Sequence, residues 1–196
     1  IPSLRTETLN RLSLRIPSLE IQKKVLSVLN PIDDKIEYNT EINKNLLEQI
    51  QSVFKAWFIG TEDKREWRIG TFSDIILFTS NGDWGKEHPL ERYSEKVYCI
   101  RGADIQHVIM GDKGKIPIRF LMESRAKMKC LTDGDIVIEI SGGSPTQSTG
   151  RSALISSQFI ERHDAKMICT NFCRVIKPKE QYSRFIYCYL QFLYEN

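Results

Sequence analysis

The sequence predicts an α+β protein: a long α-helix of coiled-coil type followed by a mixed, sheet-based domain. Three observations lead there. An unbroken heptad stripe runs over residues 29–57, and from Trp67 onward short apolar runs alternate with Gly, Pro, Asn and Asp. The 196 residues are 41% hydrophobic and 27% charged, an ordinary globular composition that excludes wholesale disorder.

The stripe consists of Leu29, Ile32, Ile36, Asn39, Asn43, Leu46, Ile50, Val53 and Trp57, spaced alternately by three and four residues. That is the seam of a helix that packs against another helix. No Gly falls between Leu19 and Ile59, and the only Pro is Pro31. Proline is tolerated in a first helical turn, so either a new helix starts there or an earlier helix over Glu20–Leu29 is kinked. Asp33 and Asp34 then sit in a first turn and Lys55 in a last one, as the helix dipole prefers, and Gly60 ends the helix. From Ile32 to Phe58 such a helix is ~40 Å long at ~1.5 Å per residue. It needs a partner helix, from a longer chain or from a second copy. Asn39 and Asn43, central in the seam, either fix its register or mark a polar gap in an ordinary packed helix.

After the charged stretch Thr61–Glu66, strands are expected over Asp74–Phe78, Val97–Arg101, Gly134–Ile140, Ser152–Ile155, Met167–Thr170 and Phe172–Ile176. Arg119–Met122 is expected to begin a short helix or turn, and Gln181–Leu193 has helical aromatic spacing. Residues 67–196 are enough for an independent core.

Catalytic signatures are missing. Gly85-Lys86 is followed by Glu87 and lacks the first glycine of a phosphate loop, and Ser144 lacks the second glycine of a nucleophile elbow. His88, His107 and His163 share no metal-ligand spacing. Asn30-Pro31-Ile32 is not the Asn/Asp-Pro-Pro-aromatic turn of amino-group methyltransferases. Asp135 and Glu139 read as a turn acid and a strand-face acid rather than a nuclease pair. The odd, scattered set Cys99, Cys130, Cys169, Cys173 and Cys188 is read as free thiols. No stretch is apolar enough to span a membrane, and no secretory signal opens the chain. The chain starts without Met, as expected of a segment of a longer protein.

The net charge of +3 is unevenly placed. Residues 16–59 are net −1, and Lys113, Lys115, Arg119, Arg125, Lys127 and Lys129 stand against Glu123 alone. Such a run is either a solvated face or a phosphate-binding surface. Three loops are candidates to read DNA beside it. The first is Ser80–Lys86, with Asn81, Trp84 and Lys86. The second is the Arg101–Ile105 strand exit, with Arg101 as an outward-pointing cation. The third is the polar loop Ser141–Arg151, in which Ser144, Thr146, Gln147, Ser148, Thr149 and Arg151 offer groups to base edges or phosphates. Each taken alone is equally a surface loop.

Several segments resemble the specificity subunits of type I restriction–modification enzymes. Ile16-Pro17-Ser18-Leu19-Glu20-Ile21-Gln22 is similar to the opening of that family's conserved helical region. Ile32-Asp33-Asp34-Lys35-Ile36-Glu37-Tyr38-Asn39 resembles its core, and Phe54-Lys55-Ala56-Trp57-Phe58 resembles its helix end. Pro31 departs from the usual Ala or Ser. Gly134-Asp135-Ile136-Val137 and Thr149-Gly150-Arg151 look like a strand and a turn of a target-recognition domain, more loosely.

The resemblance implies residues 1–15 as the tail of a preceding target-recognition domain and 16–59 as a spacer helix that docks subunits. It implies 60–66 as a linker and 67–196 as a target-recognition domain. It further implies a cytoplasmic, non-catalytic subunit without cofactor or metal, which reads one half of a split site on double-stranded DNA. Its partners would be methyltransferase and restriction subunits and an antiparallel helix of the same full chain or a second copy. The alternatives are the DNA-recognition part of a fused restriction enzyme or methyltransferase, and a coiled-coil protein-interaction adaptor.

Overall fold

The computed structural model describes residues 5–60, 67–142 and 148–195. The chain divides into two compact units, 1–45 and 46–196.

In the first unit a short helix α1 (Thr6–Asn10) precedes the start of α2 (Leu19–Phe54). Ser18 caps α2: its Oγ accepts from Ile21 N–H at 3.4 Å, and Gln22 Nε2 donates to Pro17 O at 2.8 Å. The helix runs unbroken through Pro31, so the helix neither restarts nor ends there. A proline has no N–H, so the carbonyl four residues before it, on Ser27, takes no helical bond from position 31. That carbonyl is on a solvent-exposed turn, where leaving it without a helical partner costs little. The stripe residues of this unit lie open: Leu29, Ile32 and Ile36 are 48–61% exposed, and Asn43 is half-buried.

In the second unit α2 ends in a π-helical turn (Lys55–Ile59), and the Gly60 N–H donates to Lys55 O at 2.8 Å. Phe54 is buried there against the ring of Phe185, and Phe58 meets the same ring at 5.2 Å. The helix end thus has one aromatic face turned into the domain. Leu46, Ile50, Val53 and Trp57 remain exposed.

The rest of the unit is, in order, α3 (Phe72–Ile75), β1 (Ile76–Asn81), β2 (Glu95–Ile100), α4 (Ile105–Ile109), β3 (Ile118–Leu121), α5 (Glu123–Lys129), β4 (Ile136–Glu139), β5 (Ser152–Leu154), α6 (Ser157–Glu161), β6 (Lys166–Cys169), β7 (Cys173–Pro178) and α7 (Ser183–Glu195). One antiparallel sheet has the order β1-β7-β4-β5. A mixed sheet has the order β3-β2-β6, with β2 and β6 parallel. The strands alternate as a two-sided sheet requires. Val137, Ala153 and Val175 join Ile100, Met167 and Cys169 in a core between the sheets. Ile136 and Ile176 face Ile186 of α7 on the outer side of the first sheet, and Val97, Cys99 and Ile168 face Ala126 of α5 on the outer side of the second.

Two expectations change. Residues 118–121 form a strand rather than a helix or turn, because Arg119 is buried on one side of it while Phe120 pairs with Lys96. Residues 72–75 are helical before β1 begins, held by a Thr71–Asp74 capping box. All five cysteines are free thiols; burial raises Cys169 to about 12 and Cys173 to about 11. No helix among the described residues is long and apolar enough to cross a membrane.

Candidate nucleic-acid interface

The strand registers bring one set of loops to a single end of both sheets. Asn81 pairs with Arg174, Glu139 with Cys173, Ile138 with Ser152, and Ile100 with Cys169. The exits after β1, β2 and β4, and the turn between β6 and β7, therefore all open on the same side. Two shallow cavities of about 370 and 580 Å³ lie among them and share Trp84 and Asn171 as lining residues.

The 81–86 loop is held tightly. Asp83 N–H donates to Cys169 O at 2.8 Å, and Lys86 exchanges backbone bonds with Phe120 at 2.9 Å. A Cβ on Gly82 would overlap the Thr170 carbonyl, and Gly85 takes φ +62° with Phe120 O 2.7 Å from where its Cβ would lie. Trp84 lies flat on the Arg119 guanidinium, 3.7 Å from carbon to ring centroid, and Arg119 pairs with Glu87 at 3.0 Å. Arg119 therefore leaves the basic run and becomes a pedestal. From α5, Arg125 pairs with Asp83 at 2.8 Å, and Lys129 Nζ donates to Asn81 O at 2.6 Å.

Arg101 is not the free outward cation expected. Its Nε–H and Nη2–H donate to the buried Asp104 carboxylate at 2.9 and 2.8 Å. Arg151 does the same to buried Glu139, at 3.0 and 3.0 Å. These charge-assisted bonds hold both guanidiniums above their ordinary pKa. The edge with which each Arg would grip guanine two-handedly is already occupied, and only the remaining N–H groups point away. The strand-face acid Glu139 is thus an anchor, and so is Asp135, which Lys177 meets at 2.5 Å at the far end of the sheet.

The structure brings Asn81, Trp84, Lys86, Arg101, Lys129 and Arg151 to this end of the sheets. Lys115 is tied to it through its carbonyl, which accepts from Arg101 Nη2 at 3.4 Å. Lys113 and Lys127 are exposed and make no side-chain hydrogen bond or ion pair among the described residues. Ser148 and Thr149 are exposed, with the Ser148 carbonyl accepting from Tyr194 Oη at 3.3 Å. Ser144, Thr146 and Gln147 lie outside the described residues.

Sequence reasoning missed Asn171, Phe172 and Arg174. Arg174 donates to Asn81 Oδ1 at 3.0 Å, and Asn171 and Phe172 line the cavities. The available signal was an exposed aromatic beside Thr-Asn turn residues between two apolar runs. The acids at this end are inward-held: the side chains of Asp83, Asp104 and Glu139 are 12%, 4% and 4% exposed. Glu87 is the exposed exception. The face presented outward is consequently basic and polar. Among the described residues no cluster of His, Cys, Asp and Glu is arranged to hold a metal.

No family model matches the chain. It is 42% identical over 64 residues to the type I restriction enzyme HindI specificity subunit of Haemophilus influenzae, covering 33% of this chain and 14% of that subunit. It is 26% identical over 210 residues to the type I restriction enzyme MjaIX specificity subunit of Methanocaldococcus jannaschii, covering 98% of this chain and 46% of that subunit. The chain thus spans less than half the length of either relative. Its fold resembles the crystal structure of a type I restriction–modification S subunit from M. genitalium, with TM-score 0.51 and 18% identity over 88% of this chain and 40% of that one.

Proposed function

Since the chain is a type I restriction–modification specificity subunit-like protein, of one target-recognition-domain-sized region with a long helix, we propose that it reads one half of a bipartite DNA site. It contributes no bond-breaking chemistry and directs methyltransferase and restriction subunits to that site in the cytoplasm. The observation that carries this reading is the convergence of four strand ends, with Lys86, Arg125, Lys129 and Arg174, on one outward basic face whose acids, Glu87 apart, are turned in. Cations there meet phosphates and fix register, and the loops read base edges.

The exposed stripe of α2 is the docking seam for an antiparallel partner helix, with Asn39 and Asn43 setting its register. Residues 16–59 act as this spacer and 67–196 as the recognition domain.

The test is sequencing of methylated sites in cells that express the complete protein with its methyltransferase partner, before and after replacement of the 141–151 loop. One half of the methylated motif is expected to change or vanish while the other half persists. A motif unchanged in both halves overturns the reading.

A further inference from the structure

We propose that the tip of the β6–β7 turn, Asn171–Phe172, reads an A·T step in the major groove. In this reading the Asn171 amide bonds to adenine N6 and N7, and the Phe172 ring packs on a thymine methyl. The inference rests on the assignment of this face to DNA and adds to it the residues and the base type.

The turn is braced from both sheets. Cys173 N–H closes it on Thr170 O at 3.0 Å, and Thr170 N–H is bound to Ile100 O at 2.9 Å. The Phe172 carbonyl accepts from both Ile140 N–H and Ser141 N–H, at 3.0 and 3.3 Å. Thr170 and Cys173 are buried, so the two tip residues project from a fixed base. A preorganised tip loses little conformational freedom on binding, which is what a base-reading contact needs.

The two side chains are available. Asn171 is exposed, and its amide makes no hydrogen bond among the described residues. It carries one donor and one acceptor side by side, the complement of adenine's N7 acceptor and N6 donor. Phe172 is 57% exposed, and it lines the same largely apolar cavity as Trp84 and Ala103. Apolar contact is how a thymine methyl is told from other groups in that groove. Lys129, whose Nζ bonds to the Asn81 and Gly82 carbonyls rather than to a carboxylate, supplies positive charge that draws the phosphates.

The complete protein, purified with its methyltransferase partner, is titrated against its methylated-motif DNA. Each thymine is replaced in turn by uracil, which lacks the methyl, and each adenine by 7-deazaadenine, which lacks N7. Wild type is expected to lose about five-fold in affinity at one uracil and about ten-fold at one 7-deazaadenine. Phe172→Ala is expected to bind about five-fold more weakly and to be blind to that uracil alone. Asn171→Ala is expected to be blind to that 7-deazaadenine alone. Phe172→Tyr keeps the ring and should keep the uracil response, which separates lost contact from a disturbed fold. If both alanine variants respond to every substitution as wild type does, the turn does not read these bases, while the DNA assignment stands. If wild type itself prefers its motif no more than random DNA, the DNA assignment fails and this inference with it.

Discussion

The Glu139 carboxylate is clasped by Arg151 through two parallel hydrogen bonds of 3.0 Å each, and it fills the space that a Cβ on Gly102 would need. One ion pair therefore ties the exit of β4 to the start of β5 and to the exit of β2.

Arg151→Ala removes one partner of this pair and leaves a buried carboxylate without its counter-charge. The expected cost is about 3 kcal/mol of folding stability. A urea melt of Arg151→Ala against Glu139→Gln/Arg151→Met checks it: the double variant should recover most of the loss. Equal losses in both would show that the pair does not carry the stability.

Lys127 stands apart from such networks. Its side chain is exposed and unpaired among the described residues. Lys127→Ala should weaken specific and random DNA alike and reduce the slope of log K against log salt by about 0.9, the share of one phosphate. An unchanged slope, measured between two salt concentrations, removes Lys127 from the phosphate contacts. Lys129→Ala should act differently, because it also releases the carbonyls of Asn81 and Gly82.

These contrasts show what the sequence could and could not convey. The helix that carries the stripe from Leu29 to Val53 was legible because a helix writes its period locally, with every stripe residue three or four positions from the next. The strands β2, β4, β5, β6 and β7 were legible as short apolar runs punctuated by turn residues. The strand at 118–121 was not. It is only four residues long, and Arg119 breaks the expected pattern because Trp84, 35 positions earlier in sequence, covers its guanidinium. The 81–86, 101 and 151 loops were legible as polar strand exits. The partners Asp104 and Glu139 were not recognisable as anchors, since burial is decided by pairings between distant strands. Asn171 and Phe172 were hidden for the same reason: their turn joins two different sheets, and nothing local says so.

Ile36 is 61% exposed on α2. Ile36→Lys should leave the thermal transition of the chain nearly unchanged, since the side chain is mostly exposed there, yet abolish pairing with a second helix. Size-exclusion chromatography of the complete protein with its methyltransferase partner, beside a melt of the same sample, gives both readouts. Intact assembly would sink the proposed seam.

Asp164 accepts from Lys96 Nζ at 2.8 Å and from Tyr98 Oη at 2.8 Å, and these bonds hold its carboxyl down to about 2 from the usual 3.8. A depressed carboxyl stabilises the fold fully above its unfolded pKa and loses that contribution as pH falls through the folded one. The contribution is therefore complete above about pH 4 and fades toward pH 2. Asp164→Asn should melt lower than wild type at neutral pH, by a small margin because the pair faces solvent, and the two curves should converge near pH 2. Curves that stay parallel down to pH 2 would contradict the assignment.

The strand registers carry one more implication. The β6–β7 turn leaves the frame and returns to it within residues 170–172, and neither it nor residues 81–86 supply any of the interlocked Val and Ile side chains between the sheets, whereas the exit after β2 does, with Ile105, Val108 and Ile116. Exchanges of the exposed tip side chains Asn171 and Phe172 are thereby uncoupled from foldability. A lineage carrying such a frame can acquire a new preference by swapping a few surface residues and keep everything beneath them.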